Sequence, residues 1–147
     1  MSQHYNFQSK TGSYQIECRG NIVICTISGA TSVDMANRYY EDLEVIAKKF
    51  SPQPWAYLGY AINHEAAVPE AESILRNAYL TCMQYNCISD AYCMKSAMAI
   101  AQLDKIRQDC RIPMPIEQRL FAELNGAIET LEKELDKCSK HSASKLR

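Results

Sequence analysis

The sequence is short of most features that would announce a function. No apolar run approaches the roughly 18 residues a membrane-spanning helix needs, so insertion into a membrane is not expected. The first residues are polar and lack the basic segment and apolar stretch of a secretory signal, which gives a cytoplasmic address as the expectation. Charge of one sign is missing as well. Sixteen basic residues face seventeen acidic ones, for a net charge of -1, and this removes the general attraction that would draw the chain to nucleic acid. No Cys-x-x-Cys pair is present. Cys82, Cys87 and Cys93 are separated by four and five residues, unlike the tight pairs of structural zinc sites, so no metal is expected. No catalytic or cofactor motif stands out, and no cofactor is expected.

What is present is the composition of an ordinary globular domain. The 147 residues are 47% hydrophobic and 22% charged, enough chain to bury one real core. The seven cysteines sit inside apolar runs, where a free thiol behaves as a small hydrophobe in a reducing compartment.

Residues 1–11 read as a polar N-terminal arm. Tyr14, Ile16 and Cys18 then alternate with Gln15, Glu17 and Arg19, the period of a strand with one wet face. Gly20-Asn21 is a two-residue hairpin turn leading into Ile22–Ser28, whose first four residues are apolar without alternation. Such a strand is covered on both faces and lies inside a sheet. Thr31 or Ser32 caps the next segment. There Val33, Ala36, Tyr40, Leu43, Ala47 and Phe50 recur at spacings of three and four, the stripe of an amphipathic helix ended by Ser51-Pro52.

Trp55–Tyr60 reads as a third strand, followed by a loop through Asn63, His64 and Glu65. A helix from Pro69 to about Tyr85, a strand near Asp90–Met94 and a helix capped by Ser96 come next. Glu117–Phe121 reads either as a last strand or as part of one helix from Ile116 to Leu135. Leu124, Ile128, Leu131 and Leu135 carry a final amphipathic stripe, and residues 137–147 read as a basic flexible tail. The order predicts an α/β domain over residues 12–136: a two-layer, mixed four- to five-stranded sheet with an N-terminal antiparallel hairpin and helices mainly on one face. The second face of the apolar inner strand needs a cover. A second copy of the chain, the N-terminal arm or the last helix would each supply one, and a homodimer is the expectation.

This order resembles the SpoIIAA-like superfamily, which includes the STAS domains and their lipid-binding CRAL-TRIO-like relatives. The resemblance rests on the Gly20-Asn21 hairpin between Tyr14-Gln15-Ile16 and Ile22-Val23-Ile24, and on Arg119-Leu120-Phe121 before the final helix. It implies a regulatory module that acts through protein partners. Classical antagonist domains carry a phosphorylatable Ser at the start of the second helix. Here His64-Glu65-Ala66-Ala67-Val68-Pro69-Glu70 contains neither Ser nor Thr, and Ser73 lies a turn inside the helix, so the phosphoserine switch is not expected.

In open sheets ligands favour the carboxyl ends of parallel strands. That edge gathers Thr31, Ser32, Tyr60, His64, Glu65, Lys95 and Ser96 as candidate ligand-binding residues. Thr31, Ser32 and Ser96 also suit plain helix caps, and Glu70 and Glu72 would repel an anion from the second helix. The tyrosines Tyr39, Tyr40, Tyr57, Tyr60, Tyr79, Tyr85 and Tyr92 suit a groove, an interface or a sheet–helix boundary. The functional expectation is a non-catalytic binding or regulatory module working through protein–protein contact. The alternatives are a carrier of a small apolar or lipid-like ligand and an enzyme built on His64 and Glu65.

Overall fold

The computed structural model describes residues 5–145, with side chains to Ser139. Five strands form one sheet in the order β1-β2-β3-β4-β5: β1 (Tyr5–Gln8), β2 (Gly12–Arg19), β3 (Ile22–Thr31), β4 (Trp55–Ala67) and β5 (Cys87–Met94). β2 runs antiparallel to both of its neighbours, β1 and β3, whereas β3, β4 and β5 run parallel. The helices are α1 (Val33–Phe50), α2 (Glu72–Gln84), α3 (Ala97–Asp109) and α4 (Leu124–Lys145). Among the described residues no helix is long and apolar enough to cross a membrane.

The β2–β3 hairpin turns at Gly20, whose φ of +57° a side chain would disfavour. Tyr14 and Ile16 are buried while Gln15 and Glu17 are exposed, as the alternation requires, and Ile22–Cys25 is buried throughout. Gly29 holds φ at +72°, and a Cβ there would lie 2.3 Å from the Thr11 carbonyl oxygen, so glycine is needed on two counts. α1 begins where Ser32 Oγ accepts the Met35 N–H, 3.2 Å away.

Parallel strands added one after another to the same side put their crossover helices on one face. Accordingly α1, α2 and α3 share a core with Tyr14, Val23, Cys25, Trp55, Tyr57 and Tyr92. Trp55 is fully buried, stacks on Phe50 at 5.5 Å and donates its indole N–H to the Tyr85 carbonyl. The other face is covered by α4. Its Ala127 and Leu131 are fully buried against Ile22, Ile24, Ala56, Leu58, Ala91 and Cys93, with Leu124, Ile128 and Leu135 beside them. The last helix thus supplies the cover that the two-sided apolar strand demands, and this face needs no second copy of the chain.

Four readings change in detail. Within the expected arm, residues 1–4 lie outside the described residues and Tyr5–Gln8 forms strand β1, with Tyr5 and Phe7 packed toward the core. β4 runs on through Asn63, His64 and Glu65, because the lengthened β3 pairs with that segment as far as Thr31. Residues 117–121 are neither strand nor long helix. Ile116–Arg119 is a short 3-10 turn after Pro113 and Pro115, and Leu120 makes a single parallel bridge to Tyr92. α4 continues through the expected tail as far as Lys145; residues 146–147 lie outside the described residues.

Candidate functional site

A cavity of about 220 Å³ lies between the sheet and α1, α2 and α3. Its walls are mostly apolar: Ile27, Met35, Leu43, Leu75, Ala78 and Leu103 are among them. Met83 and Ile88 line it too while remaining 40% and 43% exposed, so the cavity reaches the surface between the end of α2 and the start of β5.

The register of β4 sets its polar residues. β4 gains one residue on β3 between Tyr60 and Asn63: Thr26 pairs with Tyr60 and Ser28 with Asn63. Such a bulge reverses the alternation of side chains beyond it. Before the bulge Tyr57, Gly59 and Ala61 face the cavity; after it His64 does. His64 Nδ1 donates to the Gly29 carbonyl at 2.9 Å, which fixes the tautomer and leaves Nε2 as the acceptor. Burial lowers the His64 pKa, opposed by the Gly29 bond and by Glu65, and favours the neutral ring. Thr31 lines the same cavity, is 4% exposed, and its hydroxyl has no hydrogen-bond partner among the described residues.

The remaining polar groups in the wall are occupied. Tyr39 and Tyr57 share a hydroxyl–hydroxyl bond of 2.5 Å. Gln102 clamps the end of β4, accepting from Ala67 N–H and donating to Ala67 O, both at 2.9 Å. Asp90 Oδ2 accepts from the Tyr79 hydroxyl at 2.6 Å, the Tyr92 hydroxyl at 2.9 Å and Arg107 Nε at 3.0 Å. Burial raises the pKa of Tyr57, Tyr79 and Tyr92, so all three stay protonated donors. Burial also pushes the Cys82 thiol up to about 12, which leaves it an unreactive part of the wall.

Asp90 belongs to a charge network that reasoning along the sequence missed. Arg107, 2% exposed, also donates to the Met114 carbonyl at 2.8 Å. Arg119, 5% exposed, donates to the Asp90 backbone carbonyl at 2.6 Å and grips Glu134 of α4 with two nitrogens at 2.7 and 3.2 Å. Two arginines meet two carboxylates, and no side-chain nitrogen or oxygen wholly shut off from solvent is left unpaired among the described residues. Buried charges persist only in such company. Two sequence signals pointed here: Asp90 directly precedes the apolar run Ala91–Met94, and Arg107 falls four residues after Leu103 on the apolar stripe of α3.

The candidate residues read from the sequence separate into groups. Thr31 and His64 both line the cavity. Ser32 and Ser96 are the N-caps of α1 and α3, and Ser96 Oγ also donates to the Glu65 carbonyl at 2.7 Å. Tyr60 packs on the α4 side of the sheet. Glu65 and Lys95 are exposed. His64 and Glu65 make no side-chain hydrogen bond with each other among the described residues, and acid–base chemistry by the pair would need such reach. Of the cysteines, Cys25, Cys82, Cys93 and Cys110 are buried, and Cys18 is exposed at the hairpin end. Among the described residues no group of His, Cys, Asp and Glu is placed to hold a metal.

Comparison with solved structures identifies the fold. The chain is similar to an anti-sigma factor antagonist from Mycobacterium paratuberculosis, with a TM-score of 0.59 and 12% identity over 83% of this chain and 95% of that one. It is also similar to part of SLC26A9, with a TM-score of 0.56 and 10% identity over 82% of this chain. There the match spans only 21% of the longer protein. No family model matches the sequence, and no curated protein sequence does. The fold is STAS-like.

Proposed function

We propose that this STAS-like domain is a non-catalytic regulatory module that acts through protein–protein contact, without the phosphoserine switch of classical STAS domains. The observation that carries this reading is the likeness to an anti-sigma factor antagonist over nearly the whole of that chain. The carboxyl edge of the sheet offers a surface for the contact. Met98, 75% exposed in the first turn of α3, follows the exposed Lys95 and the Ser96 cap, whose hydroxyl donates to the carbonyl of the exposed Glu65. An apolar side chain ringed by polar ones is the usual make-up of a contact patch. The segment before α2 carries no Ser or Thr, so docking here is not toggled by phosphate at that position. Co-purification of the full chain from its native cell, beside a Met98→Asp variant, tests the reading. A stoichiometric protein recovered with the wild type and lost with the variant is expected; recovery of the chain alone refutes it.

The cavity favours a second reading, a carrier of a small apolar ligand. At about 220 Å³ it exceeds the ~150 Å³ apolar cavity that suffices for benzene. Native mass spectrometry of freshly purified protein checks this: a co-purifying small molecule supports the carrier, and a bare chain that takes up no apolar probe removes it.

A further inference from the structure

We infer that the cavity is a site for one slender, uncharged aliphatic chain ending in a hydroxyl, held by Thr31 Oγ1 and His64 Nε2. The inference rests on the carrier reading and specifies its ligand.

Shape favours a chain. Both Ile88 and Met94 line the cavity, and β5 advances ~20 Å between them at about 3.3 Å per residue. The lining therefore runs far enough along β5 to take an extended chain.

Charge favours a neutral ligand. Asp90 is the acidic side chain in the wall, and Arg107 pairs with it at 3.0 Å. A carboxylate end would find no unpaired cation in the wall to receive it, and an ammonium end no unpaired anion.

Hydrogen bonding places the end group. The other hydroxyl, amide and carboxylate groups in the wall already have partners; Ser89, the one not yet named, donates to Glu134 and accepts from Arg119. Thr31 Oγ1 and His64 Nε2 have none among the described residues. Gly29 pairs with His64 and Thr31 with Ala67 at the same end of the β3–β4 pair, with a register shift between them, and both Thr31 and His64 line the cavity. Nε2 only accepts, because Nδ1 carries the proton to Gly29; the threonine hydroxyl both donates and accepts. A single alcohol matches the pair, donating to His64 and accepting from Thr31. The bulge that turns His64 inward therefore builds the polar end of the site.

The test titrates the full chain with 1-octanol and, separately, with octanoate. Affinity is read by calorimetry, and the His64 ring is read by its 15N NMR signals. 1-Octanol is expected to bind at one site and move the Nε2 signal, with octanoate at least tenfold weaker. Thr31→Val, which keeps the shape, and His64→Leu are each expected to weaken octanol binding about 3- to 10-fold, the worth of one neutral hydrogen bond. Equal affinity for octanoate overturns the inference, as does octanol affinity untouched by both substitutions. Should either variant fail to fold, an Nε2 signal that stays still in octanol-saturated wild type overturns it alone. If octanol binds with none of these signatures, the carrier reading stands and the Thr31–His64 anchor falls. If neither probe binds, both fall.

Discussion

Replacing Arg107 by Met tests whether the buried charge network holds α3 to β5 and to the segment around Met114. The guanidinium is 2% exposed and makes three bonds: two to the Asp90 carboxylate, at 3.0 and 3.3 Å, and one to the Met114 carbonyl. Methionine nearly fills the space but leaves the Asp90 carboxylate buried without its main cation. Breaking a buried pair from one side typically costs about 3–5 kcal/mol. The lower end applies here. Tyr79 and Tyr92 still donate to Asp90, and Arg119 lies 3.9 Å from its other oxygen. A loss of about 3 kcal/mol in a chain of this size corresponds to a fall in melting temperature of about 10 °C. Urea unfolding of Arg107→Met, Asp90→Asn and the double variant measures it. The double variant should lose less than the sum of the singles, by about 1 kcal/mol or more, because removing both charges leaves neither stranded. A single-variant loss under about 1 kcal/mol, or strict additivity, would refute the reasoning: the pair would then be a surface-like contact despite its burial.

Leu131→Ala opens a cavity where α4 meets the sheet and is expected to cost about 2–5 kcal/mol in chemical denaturation, since Leu131 is fully buried. Sedimentation equilibrium at micromolar concentration is expected to find a monomer, with self-association appearing when α4 is truncated and Ile22, Ile24 and Leu58 lose their cover. The pH dependence of stability should carry a mark of His64. Burial holds its folded pKa below the unfolded value near 6.5, so the unfolded chain takes up the proton first. The stabilisation is therefore full above about pH 6.5 and is lost as the pH falls through the folded pKa. His64→Gln should flatten this part of the curve measured by thermal unfolding, and an unchanged slope would assign it to other groups.

Much of the architecture was legible because its signals are local. Alternation in Tyr14–Glu17, the Gly20-Asn21 turn and the unbroken apolar run of β3 each depend on residues within a few positions of one another. So do the 18 residues of α1, with Ser32 as its cap. β1 was missed because four residues are too few for a pattern, and only pairing with β2 makes Tyr5–Gln8 a strand. Residues 117–121 were ambiguous because Leu120 needs just one bridge to the distant Tyr92. Of the site, the sequence named Thr31 and His64 but set them among caps and exposed groups with which they share no cavity.

The sequence by itself determined the strands and helices in their main extents and the demand that both faces of β3 be covered, since hydrophobic period and turn chemistry act over short stretches. Tertiary structure alone decided that α4 answers that demand, that a one-residue bulge turns His64 inward, and that Asp90 meets Arg107 and Arg119. Those outcomes depend on register and on contacts between residues far apart in the chain, where a shift of one position moves a side chain to the opposite face of the sheet.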